Sequence, residues 1–465
     1  MKKVTSVFLC CFLFIALNYA QSGQVMTLKE CIEMGIANNL SLQNKNLNVQ
    51  KSKYGISENR FKLLPVINAF ANFTNSPEPA VSVTDGSKYG TPYNVTKTLR
   101  YNANGGLQLQ LPLYNQTLYT SIAISELVNR IDLLSYEKAK EDLIVEIGKL
   151  YFLGQTTICQ LQIIEGNIAR LDSLRNITQA FFDNGMAMDV DVKRVEINLE
   201  NMRVQYHNAQ AMLNQQLNLL KYTLDLPSEY EITLTPLNPD ITGNVRFNGL
   251  SDSLYELQLL DTQTQLLKKQ GRIINQGYIP SLNFTSQLAY SAYTDKFKHF
   301  FHSHISNKWY ESFNFGLSLK IPIFDGLSKH TKKQQANVEY RKAVLQQENT
   351  RKQLETQYTN SVSDLMNNQR NYEKQQSNYK LAEEVYLVTT DKYKEGIASM
   401  TELLQDELRL TEAQNGYLSA HYNYKIAELN LLKLTQQLDI LIKSIAFRTI
   451  YIKCNRYHRS MLRSL

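Results

Sequence analysis

The sequence predicts a membrane protein of mixed α and β structure, built from a strand pair and long helices that both occur twice. Three observations predict this fold: an internal repeat at an offset of 211 residues, two long stretches without proline, and four short segments of alternating polarity. A repeat of this kind sets the architecture. One copy holds too few strands to close a barrel, since single-chain barrels begin at about eight, so the function is expected to belong to an assembly.

The repeat is most visible in two ladders of large side chains spaced seven residues apart. Glycines precede both ladders, and Gly185 plus 211 gives Gly396. A sustained seven-residue period predicts helices that supercoil left-handedly. The ladder residues are Val192, Leu199, Tyr206, Leu213 and Leu220 in the first copy and Leu403, Leu410, Tyr417, Tyr424 and Leu431 in the second.

Long helices are predicted in 113–226 and 323–465, which contain no proline, because proline is excluded from helix interiors. In each copy one long helix is expected to run down and two shorter ones, stacked end to end, to return. The predicted helices are 28–62, 118–182, 187–225, 251–278, 329–394 and 399–438.

Four strands are predicted at 66–75, 102–113, 282–290 and 313–323, where apolar and polar residues alternate. Their length of about 9–12 residues suits a tilted strand that crosses a bilayer. A strand of a soluble sheet gives the same alternation, but the export signal predicted below at residues 1–20 favours strands that lie in a membrane. Loops 76–101 and 291–312 are expected to be long outer loops. The second contains His299, His302 and His304, which make a metal site conceivable, but no carboxylate pattern supports one. Its Trp309 suits an interfacial aromatic girdle.

Residues 1–20 are predicted to be a secretory signal, with Lys2 and Lys3 before an apolar run. The net charge of +7 divides into +2 from these lysines and +5 from 439–465, so that 21–438 has 7 − 2 − 5 = 0. A neutral body excludes a nucleic-acid binder. The predicted organisation is a first repeat at 21–226, an equatorial belt segment at 227–250, a second repeat at 251–438, and a basic, apolar tail at 439–465 whose role is open.

No catalytic chemistry is predicted. The chain contains no nucleophile elbow, phosphate loop, dinucleotide fingerprint or zinc pair. Beyond the signal, Cys31, Cys159 and Cys454 are too scattered for a disulfide framework or a metal site. The sequence therefore indicates a protein that is not an enzyme and has no cofactor and no metal.

Several short motifs between 26 and 438 resemble the TolC-type outer-membrane efflux family. They are Leu64-Pro65 and Ile279-Pro280 before strands, Pro322-Ile323-Phe324-Asp325-Gly326 and its weaker copy Pro112-Leu113-Tyr114-Asn115-Gln116 after strands, and the turns Asp183-Asn184-Gly185 and Lys394-Glu395-Gly396. The resemblance implies a homotrimer with a twelve-stranded β-barrel in outer-membrane lipid and a periplasmic α-helical tunnel. It implies a passive conduit for small molecules that joins a periplasmic adaptor protein and an inner-membrane pump.

Two other functions remain open at this point. Type I protein secretion uses the same architecture, and an exported coiled-coil structural protein or adhesin would also contain long heptad helices. The duplicated strand pairs argue against the adhesin.

The resemblance also implies functional residues. The acidic residues of the family's pore constriction correspond to Glu402 and Gln405, and a Tyr–Asp link across the tip corresponds to Tyr393 and Asp191. The family's locking arginine corresponds to Ala398. Asp191 is the repeat partner of Glu402, because 191 plus 211 is 402, so a trimer would carry six carboxylates at the tip. Gly185 and Gly396 are expected at the tips that dock the adaptor.

Overall fold

The computed structural model describes residues 24–85, 87–90, 92–237, 249–300 and 308–443. The predicted signal, most of the predicted tail, Cys454, His302 and His304 lie outside these residues. The described helices are α1 (Leu28–Asn38), α2 (Leu40–Phe61), α3 (Gln116–Asp183), α4 (Asp189–Leu224), α5 (Tyr255–Gln276), α6 (Ser328–Lys394), α7 (Met400–Leu434) and α8 (Asp439–Lys443). The strands are β1 (Gln24–Met26), β2 (Val66–Asn75), β3 (Val81–Asp85), β4 (Tyr93–Lys97), β5 (Tyr101–Tyr114), β6 (Ile232–Leu234), β7 (Ser281–Thr294) and β8 (Tyr310–Lys320).

The long helices form where proline is absent, and α3 and α6 contain 68 and 67 residues. The prediction of one helix over 28–62 is wrong, because the chain leaves helical dihedrals at Asn39, with ψ 117°. The Asn39 side chain stabilises this break from both sides. Its amide donates to the Thr223 carbonyl at 2.9 Å, and its carbonyl oxygen accepts from the backbone N–H of Leu42 at 3.0 Å, as an N-cap does.

The four predicted strands form one antiparallel sheet in the order β2-β5-β7-β8. The strand at 313–323 is displaced, since β8 ends at Lys320. Two further strand pairs were not predicted. A hairpin of β3 and β4 lies inside the predicted loop 76–101. The N-terminal strand β1 pairs in parallel with β6, which lies in the belt segment 227–250. Residues 238–248 of that segment are not described.

The chain divides into two compact units. Among the described residues, the helical unit comprises those within 24–47, 134–259 and 347–443, and the sheet unit those within 48–133 and 260–346. Each unit therefore draws on both sequence repeats.

The core of the helical unit contains the predicted heptad ladders. The ladder leucines Leu199, Leu220, Leu403, Leu410 and Leu431 are each exposed by 2 % or less, and full burial of one such side chain stabilises the fold by about 1.5–3 kcal/mol. Tyrosines continue this packing, because the Tyr372 ring stacks on Tyr417 and Tyr424 at 5.6 and 5.9 Å between centroids. The repeat positions Tyr206 and Leu213 are only half-buried, so the first ladder is packed less completely than the second.

Candidate functional site

The helix tips of the two repeats have the same backbone structure. At the first tip Gly185 has φ +72°, and at the second Gly396 has φ +74°. The N–H groups of Gly185 and Met186 donate to the carbonyls of Phe182 and Phe181 at 2.9 and 2.7 Å. The bonds at the second tip are the same after addition of 211, from Gly396 to Tyr393 at 3.0 Å and from Ile397 to Lys392 at 2.8 Å.

Glycine is favoured at these turns because a left-handed residue with a Cβ costs about 1–2 kcal/mol. A Cβ at either glycine would meet nothing within 4 Å, so the preference comes from the backbone alone. Apolar side chains surround the turns and stay exposed. Met186, Met188 and Ile397 are 66–70 % exposed, which indicates surfaces suited to a partner.

Tyr393 lies at the end of α6, buried against α3. Its hydroxyl is 3.3 Å from Oγ1 of Thr178. The Thr178 hydroxyl donates its own hydrogen to the Leu174 carbonyl at 2.9 Å, so Tyr393 is the donor to Thr178. Its ring packs on Phe181 at 5.8 Å between centroids. Burial raises the pKa of Tyr393, and the charge of Asp191 adds to that rise.

Asp191 has a different partner from the predicted one. Its carboxylate accepts from Nη1 of Arg194 at 3.1 Å, one helical turn along α4. Within this chain Tyr393 and Asp191 therefore have other hydrogen-bonding partners, although Asp191 is near enough to act on Tyr393 electrostatically. The link between Tyr393 and Asp191 at the tip stays a prediction. The sequence did carry a signal for Arg194, because opposite charges three residues apart on a helix attract each other.

Glu402 and Gln405 both lie exposed in the first turns of α7. Ser399 caps this helix, since its side chain accepts from the backbone N–H of Glu402 at 3.2 Å. The repeat partner of Gln405 is Arg194, because 194 plus 211 is 405. The two tips thus differ in charge: Asp191 has a neighbouring cation, whereas the equivalent neighbour of Glu402 is a neutral amide.

Buried charges on α7 were not predicted. Asp406 is 5 % exposed and accepts from Thr389 at 2.7 Å and from Arg409 at 2.9 Å. Glu407 is 4 % exposed, and neither carboxylate oxygen has a partner in hydrogen-bonding geometry among the described residues. Burial raises the pKa of Glu407, while Arg170 and the Tyr386 side chain are close enough to oppose that rise.

A second group of buried polar residues follows on the same helix. Lys425 and Glu428 form an ion pair of 2.9 Å, with both side chains less than 10 % exposed. Burial, aided by the nearby charge of Lys425, lowers the pKa of His421 to about 4. The sequence shows that these residues are charged, but not that they are buried and paired, because a charged residue in a helix is usually read as part of the solvent-exposed face.

The sheet of β2, β5, β7 and β8 has one apolar and one polar face, as predicted. Ile67 pairs with Leu109, and Phe284 pairs with Leu111 on one side and Leu317 on the other. Directly paired residues lie on the same face, so this face is apolar across four strands. Its larger side chains are widely exposed, with Phe315 at 72 % and Leu317 at 66 %.

An aromatic cluster lies at the end of this sheet where β5 begins. Phe73, Tyr101, Phe297 and Phe300 contact one another at 5.7–6.2 Å between ring centroids. Arg100 lies over the Tyr101 ring at 5.3 Å and donates to Asn75 at 3.2 Å.

Comparisons with known proteins agree on one kind of protein. A family model described as outer membrane efflux protein matches residues 31–224 and 255–436. A probable efflux pump outer membrane protein, TtgC of Pseudomonas putida, is 22% identical over 87% of this chain and 82% of its own length.

Solved structures have the same fold at low sequence identity. The outer membrane protein VceC of Vibrio cholerae superposes with a TM-score of 0.72 at 15% identity, covering 88% of this chain and 95% of that one. The CmeC outer membrane channel of Campylobacter jejuni gives 0.69 at 16% identity, covering 90% and 88%. None of the described helices combines the length and apolar character that crossing a bilayer requires.

Proposed function

Because the chain belongs to the outer membrane efflux protein family and is therefore an efflux channel protein of the outer membrane, we propose that it acts as a homotrimer. Each copy contributes four strands to one twelve-stranded barrel, and the helices form a periplasmic tunnel. The tunnel meets a periplasmic adaptor, which connects it to an inner-membrane pump, and small molecules pass without catalysis.

The observation that carries this proposal is the sheet with two open edges. In the described sheet β2 and β8 each have a hydrogen-bonded neighbour on one side only. Unpaired backbone groups cost several kcal/mol each in a bilayer, so a membrane sheet must close on itself. Four strands are too few to close, and pairing of β2 with β8 of the next copy satisfies both edges at once.

A stripe of exposed apolar side chains on α4 supports the same assembly. The stripe consists of Val190, Ile197, Val204, Met212 and Leu219, which are 44–60 % exposed and spaced by seven or eight residues. The equivalent positions on α7 are mostly polar: Thr401, Leu408, Asn415, Asn423 and Asn430. An apolar stripe specific to one of two related helices suits contact with a neighbouring copy.

The proposed constriction consists of Asp191, Tyr393, Glu402 and Gln405 near the tips. Three copies would bring six carboxylates together, and a narrow lumen focuses the field of like charges. The local Arg194 offsets the charge of Asp191, so Glu402 is expected to dominate the cation dependence of the current.

The assembly is tested by native mass spectrometry and planar-bilayer conductance of the purified chain. We expect trimers that conduct after the tip is loosened by substitution of Tyr393 or Glu402. A trimer that passes no current in any of these variants would refute the conduit. Deletion of the gene then separates cargo classes: raised accumulation of drugs supports small-molecule efflux, and loss of a secreted protein supports type I secretion.

Docking is tested at the two glycines with a matched control. Gly185→Ala and Gly396→Ala introduce the backbone strain without bulk, whereas Gly185→Trp and Gly396→Trp introduce both. We expect the Trp variants to lose export while trimers still reach the outer membrane, and the Ala variants to retain export. Full drug resistance with both Trp variants would show that the tips do not contact the adaptor.

A further inference from the structure

One level of the four-stranded sheet carries a carboxamide on every strand. Asn68 of β2 pairs with Gln108 of β5. Gln108 pairs with Gln287 of β7, which in turn pairs with Asn314 of β8. Because directly paired residues share a face, the four amides form a continuous row, here called the amide row, from one edge of the sheet to the other.

The levels beside the amide row are mixed but uncharged. The level directly next to it, toward Asn72, holds Phe70, Gly106, Ala289 and Ser312. Two levels further out, Asn72 pairs with Asn104, and the Asn72 amide donates to the Asn104 carbonyl oxygen at 3.0 Å. Asn104 pairs with Ser291, which pairs with Tyr310. Carboxamides and hydroxyls thus make up most of the side chains on the polar face of these described strands. On this face of the described strands, only Lys320, at the end of β8, is charged at neutral pH.

We infer that the strand-lined part of the pore is a charge-neutral, carboxamide-lined passage that does not select cargo by the sign of its charge. The inference rests on the proposed function, in which the polar face lines the lumen and three copies contribute twelve row amides to it. Fixed charges set the potential inside a low-dielectric lumen. Amides instead offer donors and acceptors together, so neutral, zwitterionic and ionic polar solutes meet equivalent walls.

Local potential at the row is measurable with single cysteines in the full chain. Gln108→Cys and Gln287→Cys are introduced into a background with Cys31→Ala, Cys159→Ser and Cys454→Ser. Their rates of reaction with a cationic and an anionic methanethiosulfonate are compared with those of a free thiol. We expect the two rates, after this correction, to agree within about twofold. Ser286→Cys is the position control, because Ser286 pairs with Leu109 and Phe315 on the apolar face and should react slowly.

A charge control calibrates the method. Asn314→Glu, next to Gln287→Cys in the register, should favour the cationic reagent by about sevenfold if it creates a local potential of about one kT. A strong preference for one reagent without the added glutamate would overturn the inference, while an intact conductance would leave the proposed channel standing. If Ser286→Cys reacts as fast as Gln287→Cys, or if the variants with a loosened tip do not conduct, the assignment of the lumen itself fails.

Discussion

Loss of the Tyr393 hydroxyl should favour opening of the tip. The hydroxyl donates to Thr178 across the packed ends of α6 and α3, at 3.3 Å, and the Tyr393 ring is held separately by Phe181. Tyr393→Phe therefore removes one buried neutral hydrogen bond and little packing. Such a bond contributes about 1 kcal/mol.

The effect should be multiplied by the proposed trimer. If opening separates these helix ends in all three copies together, the closed state loses about 3 kcal/mol, and the ratio of open to closed channels rises roughly 150-fold. The assay is single-channel recording in planar bilayers, with open probability as the readout.

A double-substitution cycle identifies the partner of Tyr393. Thr178→Val removes the same hydrogen bond from the other side, so the double variant with Tyr393→Phe should open no more often than either single variant. Asp191→Asn should instead add its own effect to that of Tyr393→Phe. Additivity with Thr178→Val, together with non-additivity with Asp191→Asn, would refute this reasoning and restore Asp191 as the partner.

Three further outcomes are expected. Ile197→Glu places a charge in the exposed stripe of α4 and should convert trimers to monomers in native mass spectrometry, whereas Ile197→Leu should leave them trimeric. Trimers with both variants would exclude the stripe from the interface between copies. Burial is the main cause that raises the pKa of Glu141 from 4.5 to about 7 in the folded chain, so the folded state loses stability as pH rises between these values. Glu141→Gln should therefore raise the melting temperature at pH 8 and leave it unchanged at pH 4. An equal gain at both pH values would contradict the shift. Gly166→Ala should stabilise α3 by about 1 kcal/mol, because its Cβ would only touch Arg170 at 3.8 Å. Gly148→Ala should give no gain or destabilise the chain, because its Cβ would lie 2.9 Å from Leu429. Thermal unfolding of the two variants tests this difference.

Much of the fold follows from the sequence because its signals are local. The absence of proline and the seven-residue period are properties of neighbouring positions, and they predicted the course of α3 and α6. Strict alternation predicted which face of β5, β7 and β8 is apolar, since side chains in a strand point to opposite faces in turn. The match of Gly185 and Gly396 predicted two equivalent turns, because positive φ suits glycine.

Tertiary structure decided which side chains meet. Tyr393 bonds to Thr178 rather than to Asp191 because α3 and α6 come together from positions 215 residues apart, and no local pattern encodes their relative rotation. Asn39 breaks a helix-compatible segment because the Thr223 carbonyl is in reach of its side chain. The amide row exists because the register of three strand pairs brings Asn68, Gln108, Gln287 and Asn314 to one level. Alternation alone assigns these residues to a face, and only the hydrogen-bonded register places them side by side.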